Sequence, residues 1–294
     1  MADAQPKGVI HDLGYRHYDG ERLGRWHIVR SLYVDSARGT YGLGRSARSK
    51  VMPLLLLAAI CLPALIVAVV ASVTHLDSLP GGYTSYVLKT QAIVMVFVAG
   101  QAPASVSRDL RFRVMSLYLS RPLQRIDYVA AKYAALATAT FVLMAVPLTI
   151  LFVGALLAKL PLSEQVPDYL RALGGAGLTA LVVAGLGLVI AAITPRRGLG
   201  VAAIITVLAL LAGVQGVVGG ISQEQRRHTL EGYSQLLSPF TLVQGVQHST
   251  LGAESALPGA PPGALGAWVF AAVLLLVVGG CFGGLLLRYR RVRI

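Results

Sequence analysis

Charge is what this sequence has least of. Only 13% of its 294 residues are Asp, Glu, Lys or Arg, about half the ~25% of an ordinary soluble domain. That shortage excludes a chain whose whole surface faces water. Acidic residues are the scarcest, 13 against 26 Lys and Arg. The two cysteines, Cys61 and Cys281, both fall in apolar runs, which gives neither a disulfide framework nor metal-ligand spacing. None of the 13 acidic residues or the six histidines lies near the middle of an apolar run. Carriers driven by protons or ions need ionisable groups at membrane depth. Their absence counts against such a carrier, and against an intramembrane hydrolase built on histidine. Anything moved uphill would draw its energy from another polypeptide.

What is present is apolar residues, 55% of the chain, in blocks near the ~20 residues a membrane-crossing helix needs. Six spans are expected, at 51–74, 86–104, 128–157, 172–194, 198–219 and 265–287. The second carries Lys89, Gln91 and Gln101, and the third contains Pro147, where a kink is expected. The fold class read from this pattern is an all-α membrane protein. The first block follows a long polar stretch, unlike a cleavable signal, so it is expected to stay as an anchor. With the N-terminus inside, 21 of the 26 Lys and Arg fall in inner segments, and only Lys89, Lys159, Arg171, Arg226 and Arg227 fall outside. By the positive-inside rule both termini are cytoplasmic. The +13 net charge is therefore a topology signal, and nucleic acid is not an expected partner. The longest outer loop, about 220–264, has room for one or two short helices before a Pro/Gly/Ala connector. Richness in Ala, Gly, Leu, Val and Arg fits a GC-rich bacterial source and its plasma membrane.

The stretch GTYGLGRS, Gly39 to Ser46, nearly matches a phosphate-binding loop, with Arg45 where that motif has lysine. Such a loop needs a strand before it and a helix after it within a βαβ unit. Here the preceding residues have helical periodicity, with Trp26, Val29, Leu32 and Tyr33 at helical spacing, and the first span follows almost at once. The expectation over 26–50 is an amphipathic connecting helix lying in the lipid interface and a basic bend made by Gly39, Gly42 and Gly44. The N-terminal tail, 1–25, holds His11, Asp12, His17 and Asp19 in no known metal spacing. No catalytic, metal or cofactor site is expected in this chain.

Between the second and third spans lies APASVSRDLRFRVMSLYLSRPLQRIDYVAAKYA, 102–134. Ser107 is placed to cap a helix over about 107–120, and Arg121–Pro122 to end it. At 100° per residue Asp109, Arg113 and Ser116 share a narrow polar face beside a wide apolar one. Such a helix suits a seat between its own bundle and a cytosolic partner, or equally a plain surface loop.

In the order of its elements the chain resembles the permease subunits of ABC-2 type ABC transporters, also called type V exporters. The resemblance runs from Trp26 to the C-terminus. It rests on a helix before six spans, on Asp109, Arg111, the run 117–119, Ser120, Arg121, Pro122, Arg125, Tyr128 and Lys132, and on Ser238–Pro239–Phe240. It implies that 107–120 is a coupling helix docking on a separate ABC ATPase, with Asp109, Arg111, Arg113, Ser116, Arg121 and Arg125 as the candidate contacts. Arg121 and Arg125 could equally anchor lipid headgroups. It implies ATP and magnesium in that partner, two ATPases, and a second permease, identical or homologous. A permease domain over 51–287 and a basic tail over 288–294 complete the organisation. Small-residue seams that let helices approach closely are Ala180, Ala184, Gly187 and Ala191, and Gly279/Gly283 with Gly280/Gly284; each could pack within the chain or against a second permease. The few polar residues in the spans suit an amphipathic, lipid-like or drug-like cargo. Two other readings stay open: a non-transporting anchor, regulator or maturation-complex subunit on the same fold, and a membrane-embedded lipid-modifying enzyme using His75, Asp77 and Glu164.

Overall fold

In a computed structural model, residues 20, 23–74, 78, 80–111, 123–194, 196–252 and 263–290 are described. Among them all regular structure is helical. The helices are α1 (Arg25–Thr40), α2 (Ala47–Thr74), α3 (Gly82–Lys89), α4 (Gln91–Arg111), α5 (Arg125–Leu157), α6 (Leu162–Ile193), α7 (Arg197–Glu224), α8 (His228–Ser234), α9 (Pro239–Leu251) and α10 (Gly263–Arg290). A 3₁₀ turn, Gln235–Leu237, joins α8 to α9.

Five of these, α2, α5, α6, α7 and α10, are long and apolar enough to cross a bilayer. They coincide with five of the expected spans. The remaining span departs from expectation. It is α3 and α4, bent by 51° across the break at Thr90. Thr90 leaves helical geometry, and its hydroxyl donates to the Tyr86 carbonyl at 2.8 Å. A threonine that bonds back one turn loosens the ladder there, and Lys89 and Gln91 flank the loosened point.

A second correction concerns Ser107. It caps no helix, because α4 runs on through it to Arg111. Its hydroxyl is buried and donates to the Ala191 carbonyl on α6 at 2.9 Å. The expected coupling helix therefore does not begin there, and 112–122 lies outside the described residues.

The core is the contact of α5 and α6 with α2 and α4 around them. Phe97, Tyr128, Leu136, Leu143, Leu148 and Leu188 are fully buried in it. Gly187 on α6 has Val98 where a Cβ would stand, so α4 and α6 meet closely. Of the expected seams, Ala180, Ala184, Gly187 and Ala191 are buried inside the chain. Gly279 and Gly280 are exposed on α10, Gly283 and Gly284 are half-buried, and all four have open space beyond them.

GTYGLGRS joins two helices with no strand beside it. α1 ends at Thr40, and Gly42 (φ 69°) and Gly44 (φ 82°) make the bend. A Cβ on Gly42 would sit 2.6 Å from the Ser49 carbonyl oxygen, so the turn requires glycine there. Gly39 still lies within α1. The described part of the loop after α7, to Gly252, is folded. Ser238 precedes α9, Pro239 takes its first position, and Leu242, Val243 and Val246 pack with Phe270 and Leu274 of α10.

Candidate functional site

α4 ends at Arg111 and α5 begins at Arg125, on either side of 112–122. The described residues on both sides of it form polar clusters that share helix α5. On the α4 side stands Asp109. Its carboxylate lies 3.1 Å from Lys132 Nζ and accepts a 2.6 Å hydrogen bond from the Tyr128 hydroxyl. Tyr128 and Lys132 are four residues apart on α5, hence on one face. Lys132 also donates to the Ser105 carbonyl at 3.2 Å, and its ammonium sits 5.6 Å from the centre of the Tyr128 ring. Tyr128 in turn packs edge-on against Tyr289 of α10, centroids 5.2 Å apart. The Asp109 and Lys132 side chains keep only 17% and 11% exposure, so this pair is largely withdrawn from water.

On the α5 side Gln124 and Asp127 form a reciprocal capping box, which satisfies two of the donors that open a helix. Asp127 also receives Arg25 from α1 through both oxygens, Nε to Oδ2 at 2.8 Å and Nη2 to Oδ1 at 2.7 Å. Arg25 Nη2 further donates to Gln124 Oε1 at 3.0 Å. The hydrogen bond to Asp127 raises the Arg25 guanidinium above its ordinary pKa, and Arg25 in turn holds the Asp127 carboxyl below the usual carboxylate range. Two more bonds close the ring of helices. Arg125 donates to the Arg290 carbonyl at 3.0 Å, and Arg288 to the Ala192 carbonyl at 3.2 Å. Thus α1, α4, α5, α6 and α10 are tied together at the two roots of 112–122.

The expected contact residues are distributed as follows. Asp109 and Arg125 lie in these clusters, Asp109 turned into the bundle and Arg125 half-buried at its rim. Arg111 is the last residue of α4. Arg113, Ser116 and Arg121 lie outside the described residues. On α1, Val29 and Leu32 pack against the core, and the Tyr33 hydroxyl donates to Thr138 Oγ1 at 3.0 Å. Trp26 points away, 82% exposed. Reading by sequence gave no role to Arg25, Asp127 or Tyr289. The Gln124–Asp127 box was a legible sign, being acidic at the third position of a helix.

Five helices of membrane length, each exposing large apolar side chains, and a polar knot at one end define a polytopic membrane protein. The model of the ABC-2 family transporter protein matches residues 90–289, from the Thr90 break to the last turn of α10. The chain belongs to that family. Members are membrane domains that are not themselves ATPases and normally work with an ABC ATPase. α1, α2 and α3 precede the matched region. No curated protein matches the sequence.

Proposed function

We propose that this chain is the permease subunit of an ATP-driven exporter, with 112–122 as the segment that docks on a separate ATPase. One observation carries the reading. Asp109 just before that segment, and Gln124, Asp127, Tyr128 and Lys132 just after it, are bonded to each other or to neighbouring helices. A displacement of the segment therefore acts on α1, α4, α5 and α10 together, as a rigid-body switch requires. The working unit is two permeases, identical or homologous, and two ATPases, with ATP and magnesium held by the ATPases. Arg113 and Ser116 are the contact residues, and Arg111 and Arg121 flank them.

The cargo is amphipathic, either lipid-like or drug-like. Thr138, Thr140 and Thr149 each donate their hydroxyl to a carbonyl one turn back in α5. They offer no free donor to an ion or a sugar, which favours cargo that asks for none. The membrane is the bacterial plasma membrane, with both termini cytoplasmic.

The experiment is purification of the tagged chain from its native membrane in mild detergent, beside Arg113→Glu. A stoichiometric ATPase that is lost from Arg113→Glu supports the reading and its docking segment. An ATPase retained by both moves the docking site. An ATPase whose turnover no cargo stimulates favours a non-transporting anchor. Absence of any ATPase refutes the proposal.

A further inference from the structure

Between α2 and α5, in the half of the bundle away from the Asp109 network, runs a groove of about 650 Å³. Its floor is the close contact of Gly154 with Ala68. Its walls include Leu65, Val69, Ser72, Val146, Thr149 and Val153. Among the described residues that line it none is charged. Its two hydroxyls are already engaged. Ser72 donates to the Val69 carbonyl at 2.8 Å. Thr149 donates to the Ala145 carbonyl at 2.8 Å and lies 2.9 Å from the Tyr169 hydroxyl, from which it accepts. The groove therefore asks for an apolar occupant. Both helices are of membrane-crossing length, so it opens on hydrocarbon. From Val142 to Leu157 its α5 wall is roughly 22 Å long at ~1.5 Å per residue. One half of a ~30 Å hydrocarbon core is about 15 Å. An acyl chain of one leaflet fits lengthwise.

Lys159 follows Leu157, the last residue of the α5 wall, by two positions. It is exposed, and none of the ion pairs among the described residues engages it. It holds φ 59°. The Lys159 amide donates to the Leu156 carbonyl and the Leu160 amide to the Ala155 carbonyl, both at 3.1 Å. This is a helix-ending turn in which glycine is the usual residue at that position. The chain instead keeps a lysine in a conformation that side chains disfavour.

We infer that this groove binds one anionic phospholipid, its acyl chain between α2 and α5 and its phosphate at Lys159. Charge selects this occupant over a second copy of the chain. A lipid phosphate at the membrane surface is a counter-charge for Lys159, and an apolar helix face offers it none. The flat small-residue stripe on α7, with Ala209, Gly213, Gly216 and Gly220 exposed, is better shaped for another helix. The inference needs only that α2 and α5 lie in a bilayer, so it stands or falls separately from ATPase docking.

The test is native mass spectrometry of the full chain released from nanodiscs of equal phosphatidylglycerol and phosphatidylcholine. The wild type should retain one phospholipid per chain and favour phosphatidylglycerol about fivefold, the weight of one lysine near an anionic headgroup. Val146→Trp, which fills the groove, should lose the retained lipid. Val69→Trp on the facing helix, at a position 53% exposed, should do the same and guards against a folding defect in the first. Lys159→Gly suits the turn's backbone and removes the charged side chain without touching the groove lining. It should keep one lipid and lose the preference. Retention unchanged by both tryptophans, or a preference unchanged in Lys159→Gly, overturns the inference. So does a wild type that retains no lipid, or one that holds a second copy released by Val146→Trp.

Discussion

Asp109 and Lys132 show how much weight a single pair carries at a membrane protein's edge. Both are mostly out of water, so removing one strands the other without a counter-charge. Loss of one partner of a largely buried pair costs about 3 kcal/mol, whereas replacing both with apolar groups is often near neutral. Asp109→Leu and Lys132→Met should therefore each destabilise the protein by about that amount, and the double variant by less than either. Denaturant unfolding in micelles, read as a double-mutant cycle, measures this. Additive effects within about 0.5 kcal/mol would mean the two do not act as a unit. For the same reason charge reversal at Asp109 would disturb folding along with docking, which makes Arg113 the cleaner probe of a partner.

At the scale of elements, two seams of similar composition have different surroundings. Gly187 faces Val98 with no room for a side chain, while Gly279 on α10 faces open space. Gly187→Val should destabilise the chain by about 1–3 kcal/mol through overpacking. Gly279→Leu should leave single-chain stability unchanged and, where α10 pairs with a second permease, lower the mass of the assembly in light scattering. Both seams are equally plain in the sequence, which carries the small residues but not what stands opposite. The spans were legible for a related reason. A bilayer demands unbroken apolar runs, and five of them appear as helices close to where they were expected. The break at Thr90 was not, because a hydroxyl bonding back one turn reads as an ordinary polar residue in a span. Ser107 was misread because capping rules consult only the local chain, and its partner is the Ala191 carbonyl on α6, 84 residues away. Arg25 and Asp127, 102 residues apart, leave no mark on each other's surroundings. Tyr128 and Lys132 showed their shared face but not the carboxylate that joins it.

For the whole molecule, the proposed topology, with both termini inside, puts the Asp109 network on the cytoplasmic side. In a chain with Cys61 and Cys281 replaced by alanine, Ser46→Cys should react with an impermeant maleimide only after the membrane is opened. His228→Cys, 85% exposed, should react in intact cells. The reverse pattern would invert the topology and place the docking segment outside. The bend at Thr90 bears on the same geometry. α3 is held at its other side by Gln244, which donates to the Thr84 carbonyl at 3.3 Å, so the short arm of the elbow is braced. The long arm runs from Thr90 to Asp109, roughly 28 Å at ~1.5 Å per residue. Each degree of pivot at Thr90 sweeps the Asp109 end through about 0.5 Å by that length. The broken span is in that sense a lever with its fulcrum in the far half of the bundle, and a few degrees at a threonine become about 1–2 Å at the Asp109 end.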